Sequence, residues 1–273
     1  MQVDIAVRGD KFLSDKVDKP TISIPLIHGD LILLAYRGSI AHNMYVPPGQ
    51  PGATDDIDLA ALNVPPIDYY FGTANVFSKG TEEIKDGATD LVVYELRKAI
   101  NLLAKGNPNM LSLLWLKEQH YIKVTTTGRK LLANRKLFVG KSAYFQFAGY
   151  AASQLCKMTT RQDYGGYQGD KRRQQYQQFG YDCKMAAHLI RLLKMGVEFL
   201  QTGNMQVYRQ DADMLLQIKQ GQWSVDKVTD LANSLFADLK DARASSTLPE
   251  SPDTEAINRL SIDLIEEHFY GHR

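Results

Sequence analysis

The sequence predicts an α+β fold, in which a small mixed β-sheet with helices is followed by a mainly helical C-terminal region. Segments with strand character are confined to the first half of the chain, whereas apolar residues recur at helical spacing after about residue 140. This change of pattern predicts a boundary near residue 140, between a first domain at residues 1–140 and a helical second domain at residues 141–273.

Three segments of the first half have the character of strands, namely residues 31–36, 56–62 and 90–94. The first is an apolar run that ends abruptly at residues 37–39, which is typical of a buried strand running into a turn. Prolines and glycines on both sides of the second segment predict loops there, because proline cannot join a central ladder. The third segment leads into a helical pattern that we expect to end at Gly106.

Four longer helices are predicted after residue 140, at residues 142–158, 182–202, 224–239 and 254–269. Ser142 and Ser224 are suitable N-cap residues, because a serine hydroxyl accepts a hydrogen bond from the open N–H groups of the first turn. Gly203 directly follows the strongest of these patterns and is typical of a helix end.

The composition is that of an ordinary globular protein and restricts the possible partners. The 273 residues are 44% hydrophobic and 23% charged, with a formal net charge of +1. This balance argues against a highly basic nucleic-acid coat but leaves room for a local basic cleft. With no signal pattern and no apolar run near the ~20 residues needed to cross a bilayer, we expect a soluble, cytoplasmic protein without a membrane partner.

The most informative constellation is a set of aspartates on two neighbouring segments of strand. Residues two apart on a strand project from the same face, so Asp56 and Asp58 would lie side by side, with Ile57 and Leu59 facing the core. A strand beginning at Asp90 would add a third carboxylate. Adjacent carboxylates repel unless a cation neutralises them, and oxygen-only ligands suit Mg²⁺. The spacing therefore favours a two-metal site.

Gly38 and Ser39 form a turn that would offer backbone N–H groups and a hydroxyl to a phosphate. Each element also has a plain structural explanation. A Gly-Ser pair is commonly an ordinary turn, aspartates in loops are commonly solvated, and Asp90 could act as an N-cap. The ordered combination of strand, Gly-Ser, Asp-x-Asp strand and a third strand led by Asp favours the functional interpretation.

These motifs resemble those of the DNA polymerase beta nucleotidyltransferase superfamily, and in particular its bacterial and phage branch linked with RNA repair. Gly38-Ser39 followed by residues 56–59 (DIDL) is similar to the signature of that superfamily. Further matching stretches extend the resemblance over most of residues 30–240, namely residues 65–72 (PPIDYYFG), 90–98 (DLVVYELRK), 107–109 (NPN) and 181–191 (YDCKMAAHLIR).

The resemblance implies that Asp56 and Asp58 hold two Mg²⁺ or Mn²⁺ ions, and that Asp90 ligates the ion that activates an attacking hydroxyl. It also implies that Gly38 and Ser39 grip the phosphates of a nucleoside triphosphate.

The chain departs from the superfamily in one respect. Sixteen residues separate Ser39 from Asp56, which is longer than the usual spacing of the superfamily. The extra length is a Pro/Gly-rich insertion at residues 46–54, which we expect at the rim of the site, where it would alter access or substrate choice.

Lys184, His188 and Arg191 recur at i, i+4 and i+7 and share one face of a strongly apolar helix. Charges on a buried helix are unfavourable unless they line a cleft or meet anions, although a solvated edge would also explain them. The resemblance favours a wall that binds phosphates, with two charge contacts and His188 as a donor. Lys98 is a second candidate for nucleotide binding, or alternatively an exposed helix lysine.

Residues 157–197 carry eight basic and three acidic side chains, a net charge of +5. Within them, Arg161, Lys171, Arg172 and Arg173 interleave with tyrosines in a glycine-rich stretch. That mixture suits stacking on bases and pairing with phosphates, and it predicts a nucleic-acid-binding segment. A solvated loop without a ligand is the alternative.

The combined prediction is a metal-dependent nucleotidyltransferase that transfers a nucleoside monophosphate from a nucleoside triphosphate to an acceptor hydroxyl, with an RNA 3′ end as the expected acceptor. Transfer to a protein or a small molecule is the alternative reaction, and it would need no extended basic surface. A non-catalytic nucleotide- or RNA-binding module is the third possibility. The three aspartates argue against it, because a pure binder has no use for crowded carboxylates.

Overall fold

A computed structural model describes residues 29–47, 49–50, 53–54, 56–73, 77, 79–159 and 176–271. The α+β prediction is confirmed, because the described residues form one five-stranded mixed sheet and a C-terminal region of helices. The strands are β1 (Asp30–Tyr36), β2 (Ile57–Val64), β3 (Thr81–Asp86), β4 (Thr89–Glu95) and β5 (Tyr121–Val124).

The strands are ordered β3-β4-β2-β1-β5 in the sheet. The central strands β2 and β4 are parallel, and the other neighbouring pairs are antiparallel. The three predicted strands are those at the centre, β1, β2 and β4. The two edge strands were not predicted, since β3 is highly charged (TEEIKD) and β5 has only four residues, so neither has the apolar pattern of a buried strand.

Alternation along β2 divides its side chains between two hydrophobic clusters. Ile57 and Leu59 belong to a smaller cluster on one face of the sheet, as predicted. Ala60 and Leu62 belong to the large cluster on the other face, where the helices pack. Because residues two apart share a face, Asp58 points to the side of the helices. This orientation places the Asp58 carboxylate on the side of the sheet that faces the helices.

Ten helices follow one another along the described chain, namely α1 (Gly38–Ala41), α2 (Ile67–Phe71), α3 (Leu96–Ala104), α4 (Pro108–Leu113), α5 (Thr126–Ala133), α6 (Ala143–Thr159), α7 (Cys183–Thr202), α8 (Ala212–Lys219), α9 (Val225–Ser245) and α10 (Thr254–Tyr270). The predicted N-cap at Ser224 and the predicted helix end at Gly203 are confirmed, whereas α9 continues beyond the predicted residue 239 to Ser245. The Ser224 hydroxyl accepts from the backbone N–H of Lys227 at 3.2 Å, and Gly203 ends α7 with φ +64°. None of the described helices is long and apolar enough to span a membrane.

The long helix α7 is the centre of the helical region and packs between α6 and α9. At Gly196 an added Cβ would lie 2.8 Å from Leu239 of α9 and 3.0 Å from Phe147 of α6, so the missing side chain lets three helices approach closely. The large hydrophobic cluster extends from Ile32 to Leu264 and therefore crosses the predicted boundary at residue 140. The division into two domains stays a prediction.

Glu95 connects the sheet to α3 through a buried carboxylate. It is 2% exposed, accepts from the backbone N–H groups of Arg97 and Lys98 at 2.7 and 2.8 Å, and also accepts from the Tyr70 hydroxyl at 3.0 Å. We expect Glu95→Ala to lower the free energy of unfolding by about 2 kcal/mol, because it removes the helix cap and leaves a buried hydroxyl unpaired.

Urea denaturation measures this effect, and Glu95→Gln is the matched control. The glutamine keeps an acceptor oxygen for the cap, so we expect it to lose less than half as much stability. Equal losses in the two variants would contradict a role of Glu95 as the cap.

Candidate active site

A cleft of about 280 Å³ lies between the helix-facing side of the sheet and α4, α6 and α7. One wall holds the residues that the sequence singled out on and beside the strands, and the other holds the basic side chains of α7. The lining residues used below are Arg37, Gly38, Ser39, Thr54, Asp56, Asp58, Tyr94, Asn109, Tyr150, Lys184, His188 and Arg191.

The carboxylates meet where β2 and β4 begin. Asp58 and Asp90 are direct partners in the parallel register, so their side chains project from the same face. Asp56 was expected on the strand with Asp58, but β2 begins only at Ile57, and Asp56 lines the cleft from the preceding loop. One oxygen of Asp90, Oδ1, is buried without a hydrogen-bond partner among the described residues.

The charge of this cluster depends on its surroundings. Burial raises the pKa of Asp58 above its ordinary value of 3.8, and the neighbouring carboxylates Asp56 and Asp90 raise it further. The positive charges of Arg37 and Lys184 act in the opposite direction. Because burial and like charges both disfavour an ionised carboxylate, nearby cations stabilise the charge of Asp58.

Arg37, at the end of β1, supplies the nearest positive charge. Its Nη2 lies 3.6 Å from Oδ1 of Asp58 and 3.5 Å from Oδ1 of Asp90. The sequence analysis gave Arg37 no role. Its position directly before the Gly-Ser turn, as the charge that ends a buried strand, was the available signal.

Gly38 is required by the approach of the turn to Asp58. Its φ is +59°, a conformation that favours glycine, and an added Cβ would lie 1.9 Å from Oδ2 of Asp58. Ser39 lines the cleft beside it. The turn thus brings a backbone without a side chain against the carboxylate, and its role in gripping phosphates stays a prediction.

The insertion at residues 46–54 is closed at its base by two hydrogen bonds. The backbone N–H of Thr54 donates to Val46 O at 2.9 Å, and the backbone N–H of Val46 donates to Thr54 Oγ1 at 3.2 Å. Thr54, the last residue of the insertion, lines the cleft, while residues 48, 51 and 52 lie outside the described part of the chain. The position of the insertion at the rim of the site and its effect on access and substrate choice stay predictions.

The opposite wall is the predicted basic face of α7, and Lys184, His188 and Arg191 all line the cleft. Arg191 is only 9% exposed, and among the described residues no carboxylate lies within ion-pair distance of it. Arg209, in contrast, pairs with Glu198 and Asp211 at 2.8 Å each. Burial lowers the pKa of Arg191 to about 10, which leaves it charged at neutral pH.

His42 holds this uncompensated guanidinium in place. Nδ1 of His42 lies 3.0 Å from Val207 O, and since a carbonyl only accepts, Nδ1 carries the proton. Nε2 then accepts from Nη1 of Arg191 at 2.6 Å. Burial, followed by the charge of Arg191, holds the pKa of His42 well below 6.5, so the ring is neutral. No signal in the sequence connects two residues so far apart, and the sequence analysis gave His42 no role.

His188 is also a neutral group in the cleft. Burial and the positive charges of Arg191, Lys184 and Lys157 lower its pKa to about 3. Its Nε2 is buried without a hydrogen-bond partner in the described part of the chain, and its ring packs edge-on against Tyr150 at 5.4 Å. His188 can therefore offer a hydrogen bond to a ligand but no charge.

Tyr150 and Asn109 also line the cleft, and neither has a role predicted from the sequence. The Tyr150 hydroxyl accepts a hydrogen bond from Nδ2 of Asn109 at 3.4 Å.

Lys98 is not brought to the cleft. Lys98 lies beyond the last residue of β4, Glu95, whereas Asp90, the register partner of Asp58, lies at the beginning of that strand. The five residues of strand between them span roughly 17 Å. The side chain of Lys98 instead packs beside Gly80, where an added Cβ would lie 3.0 Å from Lys98 Cβ. The predicted nucleic-acid contacts Arg161, Lys171, Arg172 and Arg173 lie outside the described residues.

A sequence model of the RNA repair pathway DNA polymerase beta family (RlaP) matches residues 30–263 of the chain. The chain belongs to this family. The resemblance to polymerase beta-like nucleotidyltransferases linked with RNA repair is thereby confirmed, and the matched range contains every cleft residue described above. No curated protein and no solved structure matches the chain.

In this member of the RNA repair pathway DNA polymerase beta family, Asp56, Asp58 and Asp90 are the side chains that could hold Mg²⁺ or Mn²⁺. Their oxygen-only chemistry fits these ions, and Oδ1 of Asp90, which receives no hydrogen bond from a described residue, is available to a cation. The described residues contain no group of three or more metal-binding side chains already arranged around one point. The donors thus fit the ions, while a guanidinium stands between two of them.

The contact between Gly38 and Asp58 can be tested by a matched pair of variants. Gly38→Ala should lower the free energy of unfolding by more than about 2 kcal/mol, since it adds strain at positive φ and a clash with the carboxylate. Gly87→Ala is the control, because Gly87 has φ +55° with nothing within 4 Å of an added Cβ. Urea denaturation should show the larger loss of stability in Gly38→Ala. Equal losses in the two variants would show that the contact with the Asp58 carboxylate does not contribute to the loss.

The low pKa of His188 predicts a loss of stability in acid. Below pH 6.5 the unfolded chain binds a proton at His188 that the folded protein does not, so the free energy of unfolding decreases as the pH is lowered. We expect His188 to contribute about 2 kcal/mol to the loss between pH 7 and pH 5. Urea denaturation of wild type and His188→Gln at both pH values measures this difference, and parallel losses in the two proteins would show that His188 titrates normally.

Proposed function

We propose that the protein is a metal-dependent nucleotidyltransferase that transfers a nucleoside monophosphate from a nucleoside triphosphate to an acceptor hydroxyl, with an RNA 3′ end as the acceptor. The observation that carries the proposal is the cleft itself, in which clustered carboxylates face a buried arginine that has no acidic partner among the described residues.

The charge distribution favours a phosphate-containing ligand. A buried ion costs several kcal/mol when nothing neutralises it, so the positive wall of Lys184 and Arg191 needs an anion. The carboxylate wall of Asp56, Asp58 and Asp90 needs cations. A nucleoside triphosphate carried with divalent cations supplies both, because its phosphates bridge from the metal ions to the basic wall.

The residues of the chain then have distinct tasks in the transfer. The three aspartates would hold the divalent cations, whose chemistry is to stabilise the charge on the attacking and leaving oxygens. The Gly38-Ser39 turn would position the phosphates beside Asp58, since its backbone already contacts that carboxylate. Lys184 and Arg191 would stabilise negative charge on the phosphates as it develops.

In the reaction itself, the acceptor oxygen loses its proton and forms a bond to the α-phosphorus. The bond between that phosphorus and the oxygen bridging to the β-phosphate breaks, and pyrophosphate leaves. A neutral His188 suits a contact to an uncharged part of the substrate, because it can donate or accept a hydrogen bond without adding charge.

An RNA acceptor is favoured by the family to which the chain belongs and by the net charge of +5 in residues 157–197. Lys184 and Arg191 are the basic residues of this segment that line the described cleft.

The proposal is tested by incubating the protein with labelled nucleoside triphosphates, Mg²⁺ or Mn²⁺, and total cellular RNA or protein. We expect label in the RNA fraction, and a loss of at least about a hundredfold in Asp56→Ala/Asp58→Ala, because the charge-stabilising cations lose their ligands. Asp238→Asn, an exposed aspartate of α9, is the control and should retain full activity.

Equal labelling by the double variant and the wild type would contradict the proposed chemistry. Label found in the protein or small-molecule fraction instead of RNA would support nucleotidyl transfer and would show that the acceptor is not RNA. Labelling of RNA that does not decrease as salt rises would argue against an extended contact with the RNA backbone, because phosphate contacts weaken steeply with salt.

A further inference from the structure

We propose that Arg37 is a built-in counter-ion of the carboxylate pair, and that the first divalent cation to bind must displace its guanidinium. The inference rests on the proposed function in one respect, since it assumes that Asp58 and Asp90 are metal ligands. It adds a residue that acts before any nucleotide arrives and that determines how tightly the free protein binds the cation.

The position of the guanidinium carries this inference. Nη2 of Arg37 lies almost equally far from Oδ1 of Asp58 and Oδ1 of Asp90, at 3.6 and 3.5 Å. These two oxygens come from paired positions on parallel strands, so a cation held by both aspartates would lie close to the present position of Nη2. The side chain holds together two carboxylates that would otherwise repel each other.

The contacts of Nη2 are those of an ion pair without close hydrogen bonds. Both distances exceed the 2.7–2.9 Å that is usual for a strong charge-assisted hydrogen bond. Oδ1 of Asp90 is buried and still has no hydrogen-bond partner among the described residues. The single charge of one guanidinium therefore does not balance two carboxylates, and Oδ1 of Asp90 receives no hydrogen bond from a described residue, which favours exchange of the guanidinium for a divalent ion.

The guanidinium and a metal ion cannot share this position. Mg²⁺ binds its oxygen ligands at about 2.0–2.1 Å, so an ion bridging the two aspartates would stand within a few ångströms of Nη2. Two positive charges at that distance repel. Metal binding to the free protein is thus weakened by the free energy needed to move Arg37.

Displacement would break the hydrogen bond that Nε of Arg37 donates to Leu59 O at 3.0 Å, whereas the backbone of Arg37 need not move. Its backbone N–H donates to Asp58 O at 2.9 Å, which fixes the start of the side chain next to the site. Arg37 already lines the cleft, where Lys184 and Arg191 form the basic wall. A displaced guanidinium remains in that cleft and adds a positive charge for the incoming phosphates, so metal binding prepares the protein for the nucleotide.

The test measures Mn²⁺ binding to the full chain without nucleotide, by electron paramagnetic resonance of the free ion. We expect Arg37→Gln to bind Mn²⁺ about tenfold more tightly than wild type, since two partly buried ion pairs no longer compete. Arg37→Lys keeps the charge without the planar guanidinium and should give a smaller gain. Arg259→Gln, at an exposed arginine of α10, should bind Mn²⁺ as wild type does.

Asp58→Asn separates failure of this inference from failure of the proposed function. Mn²⁺ binding that Asp58→Asn abolishes but Arg37→Gln leaves unchanged or weakens would overturn the role of Arg37 alone. Mn²⁺ binding that is the same in wild type, Arg37→Gln and Asp58→Asn would overturn the metal site, and the proposed function with it.

Thermal unfolding in EDTA and in Mn²⁺ gives a second readout. Without the guanidinium the carboxylates repel, so Arg37→Gln should melt below wild type in EDTA and gain more than wild type from Mn²⁺. An equal gain in the two proteins would overturn the inference. If Arg37→Gln does not fold in EDTA, the affinity of Arg37→Lys decides, and an affinity no tighter than wild type overturns the inference as well.

Discussion

The parallel pairing of β2 with β4 is the constraint on which the rest of the cleft depends. It places Asp58 directly opposite Asp90, and two carboxylates on adjacent strands repel each other unless a cation lies nearby. The position of Arg37 at the end of β1 and the bare backbone of Gly38 both follow from that need. Arg37 supplies the nearest positive charge, and Gly38, which has no side chain, leaves room for the Asp58 carboxylate.

The same electrostatic logic explains the helical wall. An arginine with so little exposure would normally be paired, as Arg209 is by Glu198 and Asp211. Arg191 has instead a neutral imidazole as its partner, because Val207 O fixes the tautomer of His42. A neutral acceptor orients the guanidinium without cancelling its charge. The protein thereby keeps a full positive charge in the cleft, at a cost that a bound anion offsets.

Sequence reasoning reached those parts of the structure that local pattern determines. Periodicity predicted the central strands and the long helices, and the order of the Gly-Ser turn and the aspartates predicted which residues meet at the sheet. It missed Arg37 and His42, because their roles depend on partners brought together by tertiary packing. It also assigned Lys98 to the cleft from its distance to Asp90 along the chain, whereas the rise of the intervening strand carries it to the other end of the sheet.

The last helix has a consequence for how the protein is made. His268 of α10 pairs with Asp30 at the start of β1 at 3.1 Å, and Glu267 pairs with Lys130 of α5. The cleft itself draws on residues from Arg37 to Lys219. Contacts over such sequence separations form late, because long loops must close before the contacts are gained. During synthesis, β1 and α5 can therefore gain these contacts only after α10 has been made, and a protein that lacks α10 loses them.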